Sequence, residues 1–576
     1  MAEEDTVLET PPSLPEEWQR LTASPDADVV KLICDRHPRE HAALVMARPE
    51  NESVSASVVT YGELSDRSRR LAASLAAQGI RPGDHVATLM GKSTELVVTL
   101  LAIWRLGAVN VPLFTAFEAQ AIAARTEAVR LLVIDDDLTP KLRALGEPSW
   151  MVLVNETENG TGAHHAVAGG PTLQELEAAG GQDVPTVSVG GDGTFVMLYT
   201  SGTTGSPKGV PIPVKALAAF ASYQHYALDH RADDTFWNMS DPAWGYGLYQ
   251  ALLGPLFLGR RTVLLRARFD PHVTIRALHG LGVTNFAAAP TVYRALRNHP
   301  GSWPPMSSLR CCSSAGEPLN PDLVPWAQER LGVPIRDHFG QTELGMVVGD
   351  PWHPSLRGTR TPGYMGVPLP GWRLGVLEAG THRELPPGAV GNLAVDVSAS
   401  PLMWFTGYAG ERSSSSGGYI ADGSWFLTGD LASRNAAGEF KFAGRSDDII
   451  LMAGYRISPV DVENTLLQHP GVAEAAVTAV TDDLRGEVLE AFVVPAGRAR
   501  LGDGATDGLD DELRDHVKQH LAAHLYPRQV HFRTSLPKTD SGKVKRALLR
   551  AEREREVTSR LPHAAAGQPV GSRSRV

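Results

Sequence analysis

The 576-residue chain holds only three cysteines, Cys34 and the adjacent pair Cys311 and Cys312. They supply neither a disulfide framework nor the spacing of a metal site, and such sparing use points to a reducing compartment. Basic charge is also short, with 54 Lys and Arg against 65 Asp and Glu and a formal net charge of −11. General nucleic-acid binding needs a basic surface to displace counterions, so that class is excluded, and any anionic ligand must meet locally concentrated positive charge. Long apolar runs are missing too. The stretch Val97 to Trp104 is broken by Arg105 and is far shorter than the ~20 residues that span a bilayer. The first residues, MAEEDTVLETPP, lack the basic start and apolar core of a secretory signal. The expectation is a cytoplasmic protein without a membrane span, a monomer or homodimer.

What is present is the composition of an ordinary globular protein, 43% hydrophobic and 21% charged, in a chain too long for one core. From Pro15 to about Pro148 helical and strand-like patterns alternate: a helix from Thr60 to Gln78, a strand at His85 to Met90, a helix at Ser93 to Leu106, then Ala108 to Leu113, Glu118 to Val129 (helix) and Arg130 to Ile134. Alternation of this kind predicts parallel sheet flanked by helices. Asn155 to Gly193 reads as a surface excursion. The alternation then resumes through helices at Val214 to Ala227, Tyr246 to Leu258, Val273 to Leu281, Val292 to Asn298 and Asp322 to Leu331, with strands between them. Near Gly358 short apolar runs among Gly and Pro predict a β subdomain, residues 358–445, and a compact α/β unit follows, residues 446–557. The fold class expected is α/β: a large N-terminal domain, residues 16–445, of two α/β layers plus that subdomain, and a small mobile C-terminal domain. Residues 1–15 and 558–576 read as disordered tails.

The most informative stretch is Leu198 to Val210, LYTSGTTGSPKGV, an apolar strand running into a loop of Gly, Ser and Thr. Gly202, Gly205 and Gly209 permit positive φ and close approach of backbone to a ligand, so that N–H groups can converge on an anion. Thr200, Ser201, Thr203, Thr204 and Ser206 add hydroxyls, and Lys208 a point charge. The Walker A spacing is absent, because Lys208 follows Pro207 and precedes Gly209. A phosphate grip is favoured over a flexible linker, since linkers rarely continue an apolar strand without a break.

Further stretches follow strand-like segments, where parallel sheets bind ligands: Asp241 to Gly247 (DPAWGYG), Ser314 to Leu319 (SAGEPL) and Asp337 to Glu343 (DHFGQTE). In the last, Glu343 suits Mg²⁺ on phosphate oxygens and Thr342 suits the phosphate, but a Thr/Glu pair opening a helix fits the residues equally well. Asp430, after Thr428-Gly429, suits a ribose diol, with Gly444-Arg445 following. The segments GYRISP, Gly454 to Pro459, and PKTDSGKVKR, Pro537 to Arg546, close the set. Lys543 taken alone fits a solvated lysine in a basic run better than a catalytic one.

Taken in order, TSGTTGSPKG, GEP, GQTE, TGD, GRSDDII, GYRISPVDVE and PKTDSGK resemble the adenylate-forming superfamily of acyl-CoA synthetases, luciferases and peptide-synthetase adenylation domains, from about Tyr61 to Arg546. The resemblance implies ATP, Mg²⁺ and coenzyme A as cofactors and a small-molecule carboxylic acid as substrate. It implies Ser201 to Lys208 at the β- and γ-phosphates, and Gly316, Glu317, Pro318, Asp337 and Phe339 around the adenine. Thr342 falls at the α-phosphate, Glu343 at Mg²⁺, and Asp430 at the ribose with Arg445 alongside. Gly340, Gln341 and Arg456 lie in the same nucleotide-binding motifs. Lys543 is implied between carboxylate and α-phosphate, Asp447 at a hinge, and Gly454 on a loop admitting the coenzyme A arm. Lys543 also matches a lysine acetylated in bacterial members, which implies a lysine acetyltransferase as partner.

Acetyl-CoA synthetases of the superfamily carry a tryptophan at the position of Gly340 and larger residues at Gly245 and Ala315. This departure predicts a pocket for a medium-chain, branched or aromatic acid, walled by Trp244, Tyr246 and Met346. The unbroken GYRISPVDVENTLLQHPGVAEAAV resembles coenzyme A ligases of short- and medium-chain type, so coenzyme A is the expected acceptor. A biosynthetic enzyme serving a carrier protein, an amine or an unusual acid is the alternative within the superfamily. A non-catalytic nucleotide sensor on the same fold is disfavoured by intact Lys543, Glu343 and Asp430.

Overall fold

The computed structural model describes residues 14–145, 150–157, 171–181, 183–201, 207–301, 303–356, 358, 361–410, 418–420, 422–446, 450–452, 455–457, 459–482, 486–496, 506, 508–521, 525–538 and 544–560. The chain forms two compact units that divide between Phe442 and Ala443.

Strands β1 (Ala42–Pro49) and β2 (Val54–Thr60) form a hairpin ahead of the first large sheet. Strands β3 (His85–Leu89), β4 (Val109–Pro112), β5 (Val129–Asp135), β6 (Met151–Asn155), β7 (Thr194–Ser201) and β8 (Pro207–Pro213) make that sheet, in the order β6-β5-β3-β4-β7-β8. All its pairings are parallel except the last, where β8 turns back antiparallel on β7. The second large sheet uses β9 (Phe236–Asn238), β11 (Asn285–Ala288), β12 (Cys311–Ala315), β13 (Ile335–Gln341), β14 (Gly345–Gly349) and β15 (Val367–Pro368), in the order β15-β14-β13-β12-β11-β9. Here β9, β11, β12 and β13 run parallel, β14 turns back antiparallel on β13, and the short β15 pairs antiparallel with β14 at the edge. Between β9 and β11, β10 (Thr262–Leu265) pairs with β1.

Local chemistry explains the helix starts. Thr60 and Glu63 cap the helix Tyr61–Ala77 reciprocally, the Thr60 hydroxyl accepting from Glu63 N at 3.2 Å and Glu63 Oε2 from Thr60 N at 2.7 Å. Ser93 accepts from Leu96 N at 3.0 Å and opens Thr94–Arg105. Arg105, which interrupts the apolar run, is itself buried, forked on Asp35 at 2.7 and 2.8 Å with Ser68 at 2.9 Å. Pairing and hydrogen bonding are what let a guanidinium enter a core. Leu71, Leu101, Phe195, Phe220, Tyr249 and Val348 belong to one continuous core beneath both large sheets.

Several expectations are corrected. The helix at Glu118 to Val129 covers only Ala119–Ala123, because Val129 already begins β5. The surface excursion after Asn155 contains the helix Leu173–Ala179, opened by a Thr172/Glu175 capping box. The C-terminal helix runs Arg546–Arg560, past the expected start of the tail, and Leu14 packs against the core. The β subdomain is present as β16 (Leu374–Leu377), β17 (Val390–Asp396), β18 (Trp425–Arg434) and β19 (Phe440–Arg445), in that order.

The second unit begins with the hairpin β20 (Ile450–Met452) and β21 (Tyr455–Ile457). A three-stranded sheet of β22 (Val472–Asp482), β23 (Gly486–Pro495) and β24 (Gln529–Phe532) then packs around Val462, Leu466, Val477, Leu489, Val493 and Leu513. Arg546 meets Glu463 at 2.7 Å, whose other oxygen accepts from Val477 N at 2.8 Å. Among the described residues no helix is long and apolar enough to cross a membrane.

Candidate active site

Each large sheet includes an antiparallel hairpin, and each hairpin carries a candidate motif. In the first, β7 and β8 stay in register from Val196↔Ile212 to Ser201↔Pro207 after a shift near Thr194, and Thr200 Oγ1 donates to Lys208 O at 3.4 Å. Lys208 is therefore a strand residue, its ammonium 4.7 Å from the centre of the Tyr408 ring. Gly209 corrects an expectation. It lies in β8 and is absent from the positive-φ glycines; a side chain there would press on Met197 Sδ at 3.0 Å and Ala409 Cβ at 3.3 Å. Ala409 N donates to Gly209 O at 2.8 Å, so the glycine makes room for Ala409. Gly202, Thr203, Thr204 and Gly205 lie outside the described residues, as do Asp447, Gly454 and Lys543, while Ser201 ends β7, Arg445 ends β19 and Arg456 lies in β21.

In the second sheet β9, β12 and β13 are parallel, so the motifs that follow or end them collect at one edge. The Trp244 ring lies across Gly316, 2.8 Å from where a side chain would begin, and Gly316 has φ +95°. Pocket wall and adenine candidate are thus one packed surface. A side chain at Gly245 would begin 3.4 Å from Thr342 Oγ1 and from the Tyr249 ring. The Glu317 carboxylate is taken by Thr291 Oγ1 and Arg294 Nη2, each at 2.8 Å, with Pro318 next in the loop. Burial pushes the Asp337 carboxyl up to about 8, with the backbone amides of Leu319 and His338 pulling the other way. Phe339, two residues on and so on the same face, sets its ring 6.5 Å from Phe442.

Thr342 and Glu343 occupy the turn of the β13–β14 hairpin, so the helix-opening reading is excluded. Side chains lock that turn. Tyr249 donates to Thr342 O at 2.9 Å, Trp404 Nε1 to Leu344 O at 3.2 Å, and Tyr408 to Glu343 Oε1 at 2.8 Å. Gln341 Nε2 bridges Thr428 O and Asp430 Oδ2, both at 2.7 Å, bringing two of the sequence motifs into direct contact. Asp430 follows Gly429 at φ +76° and is 4% exposed.

Gly340 answers differently from the sequence argument about room. A side chain there would meet Gly345 O at 2.1 Å and Met346 Sδ at 2.7 Å, where the hairpin bulges between Phe339 and Gly340. The space a tryptophan would fill is already occupied by the hairpin and by Met346. Ala315 is buried at the end of β12.

Sequence reasoning missed Tyr223, Tyr249, His338, Tyr408 and Lys92. Tyr223 and Tyr249 sit in π-helical turns, Tyr223–Ala227 and Leu248–Leu253, where an extra residue per turn re-aims side chains. No periodicity flags such turns. Tyr408 had a signal, the Gly-bracketed FTGYAG, punctuated like Asp241 to Gly247. Lys92 Nζ donates to Met239 O at 2.6 Å and so ties the end of the first sheet to the end of β9; burial lowers its pKa and Asp241 opposes the shift.

Among the described residues no cluster of three or more His, Cys, Asp or Glu is arranged for a metal. Mg²⁺ does not need one, since it is commonly bound by one or two carboxylates together with substrate phosphates. Glu343 fits that role: Tyr408 holds one carboxylate oxygen, and among the described residues no partner takes the other.

Comparison with known proteins places this arrangement. Residues 32–408 match the family described as AMP-binding enzyme, and residues 461–543 match the AMP-binding enzyme C-terminal domain. The chain is 32% identical over 531 residues to an acetyl-coenzyme A synthetase of Bacillus subtilis, covering 90% of this chain and 89% of that one. It is 32% identical over 498 residues to the mitochondrial acyl-coenzyme A synthetase ACSM3 of Mus musculus, covering 85% and 83%. The crystal structure of a Brucella canis acyl-CoA synthetase superposes with a TM-score of 0.69 at 39% identity, over 94% of this chain and 97% of that one. The chain belongs to the AMP-binding enzyme family of adenylate-forming ligases, as the resemblance of its motifs implied, and is an AMP-forming ligase related to the acyl-CoA synthetases.

Proposed function

We propose that the enzyme joins a carboxylic acid to ATP as an acyl-AMP, releases pyrophosphate, and passes the acyl group to coenzyme A. The observation that carries this reading is the convergence at one sheet edge of a locked Glu343, a hydrogen-bonded Gln341–Asp430 pair and the Thr342 hydroxyl. Asp430 would take the ribose, Thr342 the α-phosphate and Lys208 the outer phosphates. Mg²⁺, held through Glu343, would neutralise charge as the acid carboxylate attacks the α-phosphate.

Lys543 would supply the remaining charge between two anions that must approach each other. The second unit would then turn about Asp447 so that the Gly454 loop replaces Lys543 and admits coenzyme A. Lys543→Ala should therefore lower adenylation about 10²–10³-fold, measured as acid-dependent pyrophosphate exchange, yet leave thioester formation from supplied acyl-AMP within a few fold. Equal loss in both half-reactions would refute that division. A lysine acetyltransferase acting on Lys543 would remove the same charge.

The acid is read as larger than acetate: medium-chain, branched or aromatic. Its support is the small residues Gly245 and Ala315 where acetyl-CoA synthetases carry larger ones; Thr342 and Tyr249 flank Gly245, and the adaptable Met346 side chain would set the depth at Gly340. Relatives named for acetyl-coenzyme A and for acyl-coenzyme A stand at the same 32% identity, so identity does not choose between acids. The test is pyrophosphate release across a panel of carboxylic acids with ATP and Mg²⁺, followed by addition of coenzyme A. Best turnover with acetate would overturn the size reading, and pyrophosphate without thioester would point to a carrier protein or amine as acceptor.

A further inference from the structure

Under the candidate acid pocket lies a buried chain of hydrogen bonds whose direction can be deduced. Tyr246 and Tyr223 hydroxyls are 2.9 Å apart, Tyr223 and His338 Nδ1 are 2.7 Å apart, and His338 Nε2 is 3.0 Å from Asp350 O. A backbone carbonyl can only accept, so the proton of the imidazole sits on Nε2. Burial holds the His338 pKa down to about 4, which keeps the ring neutral near pH 7 and Nδ1 bare. Tyr223 must then donate to Nδ1. With that proton committed, its oxygen accepts from Tyr246. The chain therefore runs one way, from Tyr246 to Asp350.

The consequence falls on Tyr246. Its single proton is spent inward, and among the described residues Tyr223 is the one hydrogen-bond partner of its hydroxyl. Its oxygen keeps lone pairs but has nothing left to give. The residue is only 6% exposed, and its oxygen retains lone-pair capacity that a donor alone can use. Its position is that of the pocket candidates. Register sets Ala315 beside His338, and alternation along β13 sets Gly340 on the same face, the face on which Tyr223 and Tyr246 pack. The Trp244 ring stands edge-on to Tyr246 at 5.9 Å.

We propose that Tyr246 is a specificity residue that acts only as a hydrogen-bond acceptor, and that the preferred acid carries a hydroxyl or amino donor on its tail. This rests on the adenylation reading and on Tyr246 bordering the acid. A site built around a buried acceptor discriminates against isosteres that lack the donor far more strongly than a greasy wall discriminates between alkyl groups.

The test is pyrophosphate exchange with matched acids, aliphatic and aryl, that differ only by hydroxyl or amino against methyl or fluoro. In at least one series the donor-bearing acid should lead by about tenfold or more in kcat/KM, and Tyr246→Phe should erase the lead. Tyr223→Phe should release the Tyr246 proton, so that acids bearing only acceptors, such as methoxy or keto groups, gain relative to wild type. A purely structural role would lower every acid alike. If Tyr223→Phe does not fold by thermal melting, wild type against Tyr246→Phe decides alone. No donor preference in any series, or an unchanged preference in Tyr246→Phe, would overturn the proposal while leaving adenylation standing. Absence of exchange with every acid in the wild type would overturn the adenylation reading, and this proposal with it.

Discussion

The two antiparallel hairpins of the large sheets share an architecture and differ in how they present chemistry. Both add an antiparallel strand to a parallel sheet, β8 on β7 and β14 on β13. The β13–β14 turn is clamped by Tyr249, Trp404, Tyr408 and Gln341, so its side chains arrive already oriented. The β7–β8 hairpin offers a ladder, a Gly- and hydroxyl-rich connection and one lysine, a composition suited to gripping an anion by backbone N–H groups. Preorganised side chains suit charge that develops during reaction, whereas a backbone cradle suits a group that must be held and then released. The segment Tyr408-Ala409 touches both hairpins, through Glu343 and Lys208 on one residue and Gly209 O on the next.

Glu343→Gln is the severest way to break this comparison. Removing the charge from the clamped turn should lower pyrophosphate exchange about 10²–10³-fold, with thermal stability close to wild type; a change of less than fivefold would deny the turn its role. Lys208→Ala attacks the other hairpin and should raise the KM for ATP about 10–100-fold with a smaller change in kcat. A loss confined to kcat would mean that Lys208 serves the reacting charge and that the two hairpins do not divide the work. Tyr408→Phe tests the bridge between them. It removes one hydrogen bond from Glu343 while keeping the ring over Lys208, and should weaken Mn²⁺ binding in the presence of ATP about tenfold, followed by electron paramagnetic resonance.

The smallest effect concerns the face of β13 that carries Asp337. Burial raises its folded-state pKa from an ordinary 3.8 to about 8, so the carboxyl is protonated in the folded protein near neutrality. The stability that this group allows is intact below pH 4 and is lost as pH rises through 8. Asp337→Asn cannot ionise, and its thermal midpoint relative to wild type should climb between pH 4 and 8 and level off above. A flat difference across that range would show that Asp337 is ionised when folded.

Much of this architecture was legible because local rules dominate it. Helical and strand-like apolar patterns and Gly/Pro punctuation placed most elements of the first unit within a few residues. The reading failed where the tertiary surroundings override local pattern. Arg105 looked like a break in an apolar run, yet Asp35, 70 residues earlier, lets it be buried. Thr342 and Glu343 were as good a helix start as a phosphate contact, and only the return of β14 onto β13 decided against the helix.

The sequence by itself determined the family, because ordered motifs of unusual residue choice are carried linearly, and with it the α/β class and the nature of the chemistry. Tertiary structure alone decided what those motifs touch. Gln341 reaches Asp430 across 89 residues, Gly209 makes room for Ala409, the space at Gly340 belongs to Met346, and the Tyr246 hydroxyl meets that of Tyr223. Each of these depends on strand register or on the aim of a side chain from a neighbouring element, and residue order records neither.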